Sequence, residues 1–95
     1  LVNAAGPWVA ELLGKLGVNA AAGMRLVKGS HIVVPKLFDG DHAYILQQPD
    51  RRIVFAIPYE GGTEVGTTDV AVDRPEDARI DAGEVAYLCD AVNRY

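Results

Sequence analysis

Arg25-Leu26-Val27-Lys28-Gly29-Ser30-His31-Ile32-Val33-Val34-Pro35 is the stretch that decides how the rest of the chain is read. Its apolar, largely β-branched residues predict a strand from Arg25 to Val34, stopped by Pro35. Neighbouring side chains on a strand point to opposite faces, so Lys28 and Ser30 share one face and Gly29 and His31 the other. Without a bulge, Ser30 and His31 therefore cannot form a nucleophile–base pair. Lys28 and His31 can meet one ligand only if the strand bulges, and Gly29 is the residue that permits it. The competing reading puts Lys28 in solvent and His31 in a hydrogen bond at the sheet margin. The residues alone leave both open.

Downstream, Tyr44 to Gln47 reads as a second strand after the polar turn Asp39-Gly40-Asp41. Ile53-Val54-Phe55-Ala56-Ile57 is continuously apolar, which predicts a central strand covered on both faces and ended by Pro58. Gly61-Gly62 predicts a turn, and Thr63 to Asp69 a fourth strand in a hairpin with the third. Upstream, Leu1-Val2 read as strand residues feeding the turn Asn3-Ala4-Ala5-Gly6. Pro7 suits a first helical position. Trp8, Val9, Leu12, Leu13 and Leu16 then recur at helical spacing, Gly14 weakens the helix and Gly17 ends it. Asn19 to Gly23 is a small-residue linker. Near the other end, Asp81 with Glu84 three residues on predicts a capped helix whose apolar stripe is Val85, Leu88, Val92 and Tyr95. The sum is an α+β fold: a mainly antiparallel sheet of about four strands flanked by two helices, within a single fragment spanning 1–95.

Nine Lys and Arg against thirteen Asp and Glu give a formal charge of −4 over 95 residues. Such a chain has no general attraction for nucleic acid or anionic lipid. Its single cysteine, Cys89, can form no internal disulfide, which suits a reducing compartment. No run approaches the ~18 apolar residues of a membrane span, and no signal peptide is visible. The two histidines lack partners at ligand spacing, so no metal site is expected. Gly61 to Gly66 lacks the Lys-Ser or Lys-Thr pair and the helix of a phosphate-binding loop. The chain starts without Met in what reads as a strand and stops inside a helix, which predicts a piece of a longer protein.

Val2-Asn3-Ala4-Ala5-Gly6-Pro7-Trp8-Val9 and the Arg25–Pro35 stretch together closely resemble the middle of the FAD-dependent glycerol-3-phosphate dehydrogenases. Ala43 to Gln47, Ile53 to Tyr59 and Gly66-Thr67-Thr68-Asp69 follow in the family's order, so the resemblance covers essentially the whole chain. It implies part of the substrate (cap) domain of an FAD-dependent oxidoreductase fold, with one FAD-contacting turn at 3–8. The implied reaction oxidises sn-glycerol 3-phosphate to dihydroxyacetone phosphate and passes electrons to quinone. The implied location is cytoplasmic, with the parent peripheral on the inner face of the bacterial cytoplasmic membrane.

Carried over by motif, Ala4, Ala5, Gly6 and Trp8 are FAD contacts, and the turn ahead of Pro7 would aim free N–H groups at an anion. His31 faces substrate as a proton acceptor, and Lys28 is a further candidate for steadying the phosphate. Thr67, Thr68 and Asp69 either line the same cavity or end a strand. Ala5 stands where Thr is common and Tyr59 where Trp is frequent. The Gly-x-Gly-x-x-Gly turn and the arginine-bearing substrate segment of the family are not within these residues, so the 95 residues alone are expected to bind no FAD and catalyse nothing. The alternatives are another FAD-dependent hydroxy-acid or amine oxidoreductase, and a stand-alone binding or regulatory module. Uncovered apolar edges make a homodimer of these residues an expectation.

Overall fold

The computed structural model describes residues 2–19 and 23–95. Leu1 of the expected first strand, and Ala20 to Ala22 of the expected linker, lie outside the described residues; Val2 is exposed and not in a strand. In chain order the elements are a 3-10 turn at Gly6–Trp8, α1 (Val9–Lys15), β1 (Leu26–Lys28), β2 (His31–Pro35), β3 (Tyr44–Gln47), β4 (Ile53–Tyr59), β5 (Gly62–Gly66), β6 (Val70–Val72), a 3-10 turn at Pro75–Asp77, and α2 (Ala82–Val92). They fall into two units, Leu1–Lys28 with Ala71–Ala78 and Gly29–Val70 with Arg79–Tyr95. The α+β class stands.

In the first unit the Asn3 side chain organises the opening turn. Its Oδ1 accepts from the Ala5 N–H at 3.2 Å and its Nδ2 donates to the Val9 carbonyl at 3.1 Å. Pro7 sits at the start of the 3-10 turn that leads into α1, where its missing N–H costs nothing. Gly17, at φ +68°, ends the helix as expected. The Val18 N–H returns to the Leu13 carbonyl at 3.0 Å and the Gly17 N–H to Gly14 at 3.1 Å, a Schellman closure that requires the left-handed glycine. β1 pairs with β6 in a two-stranded sheet.

The second unit is a four-stranded sheet in the order β2-β5-β4-β3, antiparallel throughout, with α2 on one face. The hairpin joining β4 to β5 forms as expected, but one residue earlier than Gly61-Gly62. Glu60 and Gly61 carry φ of 46° and 82°, the two left-handed residues of a turn that matches strand twist. Gly62 belongs to β5, paired with Pro35 and Tyr59, and a Cβ there would stand 2.6 Å from the Val34 carbonyl oxygen. Leu46, Val54, Ala56 and Val65 meet Leu88 and Ala91 of α2 in the core.

Four further expectations are corrected. The predicted strand over Arg25 to Val34 is two strands in two sheets, broken at Gly29-Ser30. The fourth strand ends at Gly66; Thr67 to Asp69 belong to no strand, and β6 starts only at Val70. β4 is central, yet only Val54 and Ala56 are buried; Ile53, Phe55 and Ile57 point to an open face with Val33 (60% exposed) and Ile45 (63%). Its continuous apolar run concealed an alternation of burial, because α2 covers one side only. Finally, α2 presents Glu84, Leu88 and Ala91 to the sheet rather than Val85, and it stops at Val92. A polar Glu at the first position of that stripe hid its phase from a reading of apolar spacing. Tyr95 lies beyond the helix, where its hydroxyl donates to the Gln47 carbonyl at 2.6 Å.

Candidate functional site

His31 opens β2 directly opposite Gly66 of β5, and Gly66 faces Phe55 of β4 on its other side. Cross-strand neighbours share a face, so the three form one row on the open side of the sheet. The imidazole lies over Gly66: a Cβ there would fall 2.6 Å from His31 Cγ and closer still to Cδ2. His31 itself is exposed. An imidazole on a solvent-reachable apolar sheet face is placed to exchange a proton with something lying against that face.

The two residues before His31 are held from the other side. Gly29 packs against Thr67, where any Cβ would collide with the Thr67 hydroxyl and stand 3.3 Å from the Thr68 carbonyl. Ser30 donates its N–H to Thr68 Oγ1 at 2.9 Å and accepts from the Thr68 N–H at 3.2 Å. The Ser30 hydroxyl donates to Glu84 Oε1 at 2.9 Å, and the Thr68 hydroxyl donates to the same oxygen at 2.6 Å. Ser30 thus turns toward α2 while His31 turns away, the opposite-face arrangement that strand geometry predicts. Thr68 is buried and Asp69 exposed. The contacts of Gly66 and Glu84 were not legible beforehand, and Thr68 was read only as lining a cavity or ending a strand. The one available signal was a capping Glu placed four residues before Leu88, on the buried stripe.

Ala4, Ala5, Gly6 and Trp8 lie in the first unit, with Lys28 at the end of β1, half-buried. Gly6 takes φ +55°, and nothing lies within 4 Å of where its Cβ would stand. The expected fan of free N–H groups is reduced: the Trp8 N–H donates to the Ala5 carbonyl at 3.1 Å and the Val9 N–H to Gly6. Cys89 is a free, partly buried thiol. Among the described residues, no group of three His, Cys, Asp or Glu side chains could hold a metal ion.

Residues 1–95 match the family described as FAD dependent oxidoreductase. The chain belongs to that family. Among relatives of this FAD-dependent oxidoreductase chain is the glycerol-3-phosphate dehydrogenase of Pseudomonas aeruginosa, 53% identical over all of this chain and 19% of its own length. The D-erythritol 1-phosphate dehydrogenase of Brucella abortus is 47% identical over all of this chain and 20% of its own. The aerobic glycerol-3-phosphate dehydrogenase of Escherichia coli is 43% identical, again over the whole chain and 20% of its own length. The chain therefore spans about a fifth of the curated relatives it matches.

In the 3–8 turn, the part of this chain to weigh against a flavin cofactor, the backbone is open to close approach. Ala4 and Gly6 are small and exposed, and the open space at Gly6 admits a group against bare backbone. It does not fit as an anion cradle, since the Trp8 and Val9 N–H groups are already used.

Trp8 also ties this turn to the second 3-10 turn. Its indole N–H donates to Glu76 Oε1 at 2.9 Å, which, with Arg74 assisting, holds the Glu76 carboxyl below its ordinary value of 4.5. A depressed folded-state value means the contact contributes above the ordinary value and is lost as pH falls through the lower one. Trp8 is the single tryptophan of the 95 residues. Its fluorescence in this chain should therefore change with a midpoint below 4.5, and Glu76→Gln should abolish the transition.

Proposed function

We propose that this chain is the substrate-facing part of a flavoenzyme oxidising the secondary alcohol of glycerol 3-phosphate to dihydroxyacetone phosphate. The observation that carries the reading is the His31 imidazole laid over Gly66 on the open sheet face. The names of the relatives support the substrate class. In the oxidation the C2–H bond breaks with its electron pair, the hydroxyl O–H bond breaks, and the C=O bond forms. FAD, when bound, supplies the acceptor for the electron pair. His31 takes up the hydroxyl proton on its imidazole. Phe55, next to Gly66 in the row, offers an apolar surface beside the imidazole. Ala4, Ala5, Gly6 and Trp8 contact the cofactor, and Lys28 is carried as the contact for substrate phosphate on the family resemblance.

The reading extends to a parent that delivers electrons to quinone while seated on the inner face of the bacterial cytoplasmic membrane. Among the described residues no helix is long and apolar enough to cross a membrane. A second reading takes a longer polyol phosphate, favoured by the 47% identity to a D-erythritol 1-phosphate dehydrogenase. The test is anaerobic bleaching of flavin in the full-length protein by each substrate, with the 95 residues alone as a colourless control. Glycerol 3-phosphate should lead in kcat/KM by about tenfold or more, as expected of a site that hydrogen-bonds substrate hydroxyls. A preference for D-erythritol 1-phosphate selects the second reading, and bleaching by neither overturns both.

A further inference from the structure

We infer that Glu84 is a positioning residue for His31, holding the strand residue before it through Ser30 and Thr68. The inference rests on the proposed role of His31. Glu84 occupies the third position of α2 and caps the helix with Asp81: its N–H donates to Asp81 Oδ1 at 2.9 Å, and its Oε2 accepts from the Asp81 N–H at 3.0 Å. A capping glutamate needs only that one oxygen and ordinarily keeps the rest of its side chain in water. Here the residue is 5% exposed, and its other oxygen, Oε1, is spent on the Ser30 and Thr68 hydroxyls. The two oxygens do separate things. Oε2 starts the helix, and Oε1 closes a loop of hydrogen bonds through Thr68 Oγ1 to the Ser30 N–H.

Ser30 is consequently held at its N–H, its carbonyl and its hydroxyl, one bond short of His31. This is where regular strand pairing is missing, because β1 has ended and β2 has not begun. With no ladder to fix the backbone at Gly29-Ser30, the Glu84 loop replaces it. A short acidic anchor on a helix therefore sets the angle at which a catalytic imidazole leaves the sheet.

The experiment uses the full-length flavoenzyme. Glu84→Gln keeps size and can still cap, but one of its two polar ends becomes a donor, so it cannot accept at both places. It should lower the rate of flavin reduction by about tenfold, through kcat with KM little changed, as expected of a small misplacement. Asp81→Ala removes the cap partner while leaving both hydroxyl bonds; it should lower the melting temperature without slowing reduction. Should Glu84→Gln fail to fold, Thr68→Val removes one hydroxyl at equal volume and should slow reduction, with the conservative Thr68→Ser rescuing it. Rates that track melting temperature across these variants, or wild-type reduction in Glu84→Gln or Thr68→Val, overturn the inference. If those variants behave as wild type while His31→Gln is slow, the role of His31 survives and only that of Glu84 falls. A fast His31→Gln enzyme overturns both.

Discussion

Glutamine in place of His31 is expected to slow reduction of the bound flavin by substrate about 10²–10⁴-fold in the full-length enzyme, the usual worth of a positioned general base. Flavin content and melting temperature should stay at wild-type values. The separation follows from where the side chain sits. His31 is exposed on the open face, outside the core formed by Leu46, Val54, Ala56, Val65, Leu88 and Ala91, so its loss leaves no cavity. Glutamine preserves a polar side chain of similar reach but has no basic ring nitrogen to accept a proton. Anaerobic stopped-flow absorbance of the flavin reads the step directly. An unchanged rate would return His31 to the margin of the sheet as a structural residue.

Gly66→Ala is expected to cost a comparable amount, about 10²-fold, by displacing the same ring. The added methyl would stand 2.6 Å from His31 Cγ, so the imidazole has to leave its place over the strand. Because His31 is exposed it can swing outward, and the fold should survive with its flavin. The effect belongs in kcat. A double variant carrying both changes should be little slower than His31→Gln alone, since residues that act through one another do not add. Fully additive losses would mean that Gly66 serves something other than the ring above it. Wild-type reduction in Gly66→Ala would show that the ring's place does not matter.

The fold was legible where local chemistry is decisive. Pro7, Gly17 and the Asp81–Glu84 box mark helix ends by mechanisms that need no tertiary partner, and each is used as read. The phase of α2 was not, because a buried glutamate interrupts its stripe. The break at Gly29-Ser30 was half visible: Gly29 stood out as the residue that permits a departure from the strand, but the sheet change across it depends on pairing with β6 and β5, far along the chain. Likewise the apolar run of β4 could not reveal which of its faces is covered, since that depends on where α2 lies. At the site, His31 stood out by residue type and motif as a candidate, with a structural place at the sheet margin left open beside it. Gly66 and Thr68 were visible only as part of a motif; what they touch, and the part Glu84 plays, were not, because the hydroxyl–carboxylate loop joins three distant segments.

The interlock of Gly29 against Thr67, Ser30 with Thr68, and His31 over Gly66 has a bearing on how such sequences diverge. Two short motifs that look independent on paper are expected to change together, since the residues at 29 and 31 limit the size of those at 67 and 66, and Ser30 needs the Thr68 hydroxyl. A larger residue at position 29 becomes tolerable only with a smaller one at 67, and a bulkier neighbour at 66 only with a different ring at 31. Drift should therefore proceed by paired replacements, and scanning one position at a time will undercount the sequences that work. Libraries meant to retune this enzyme class are best built with the two motifs varied together.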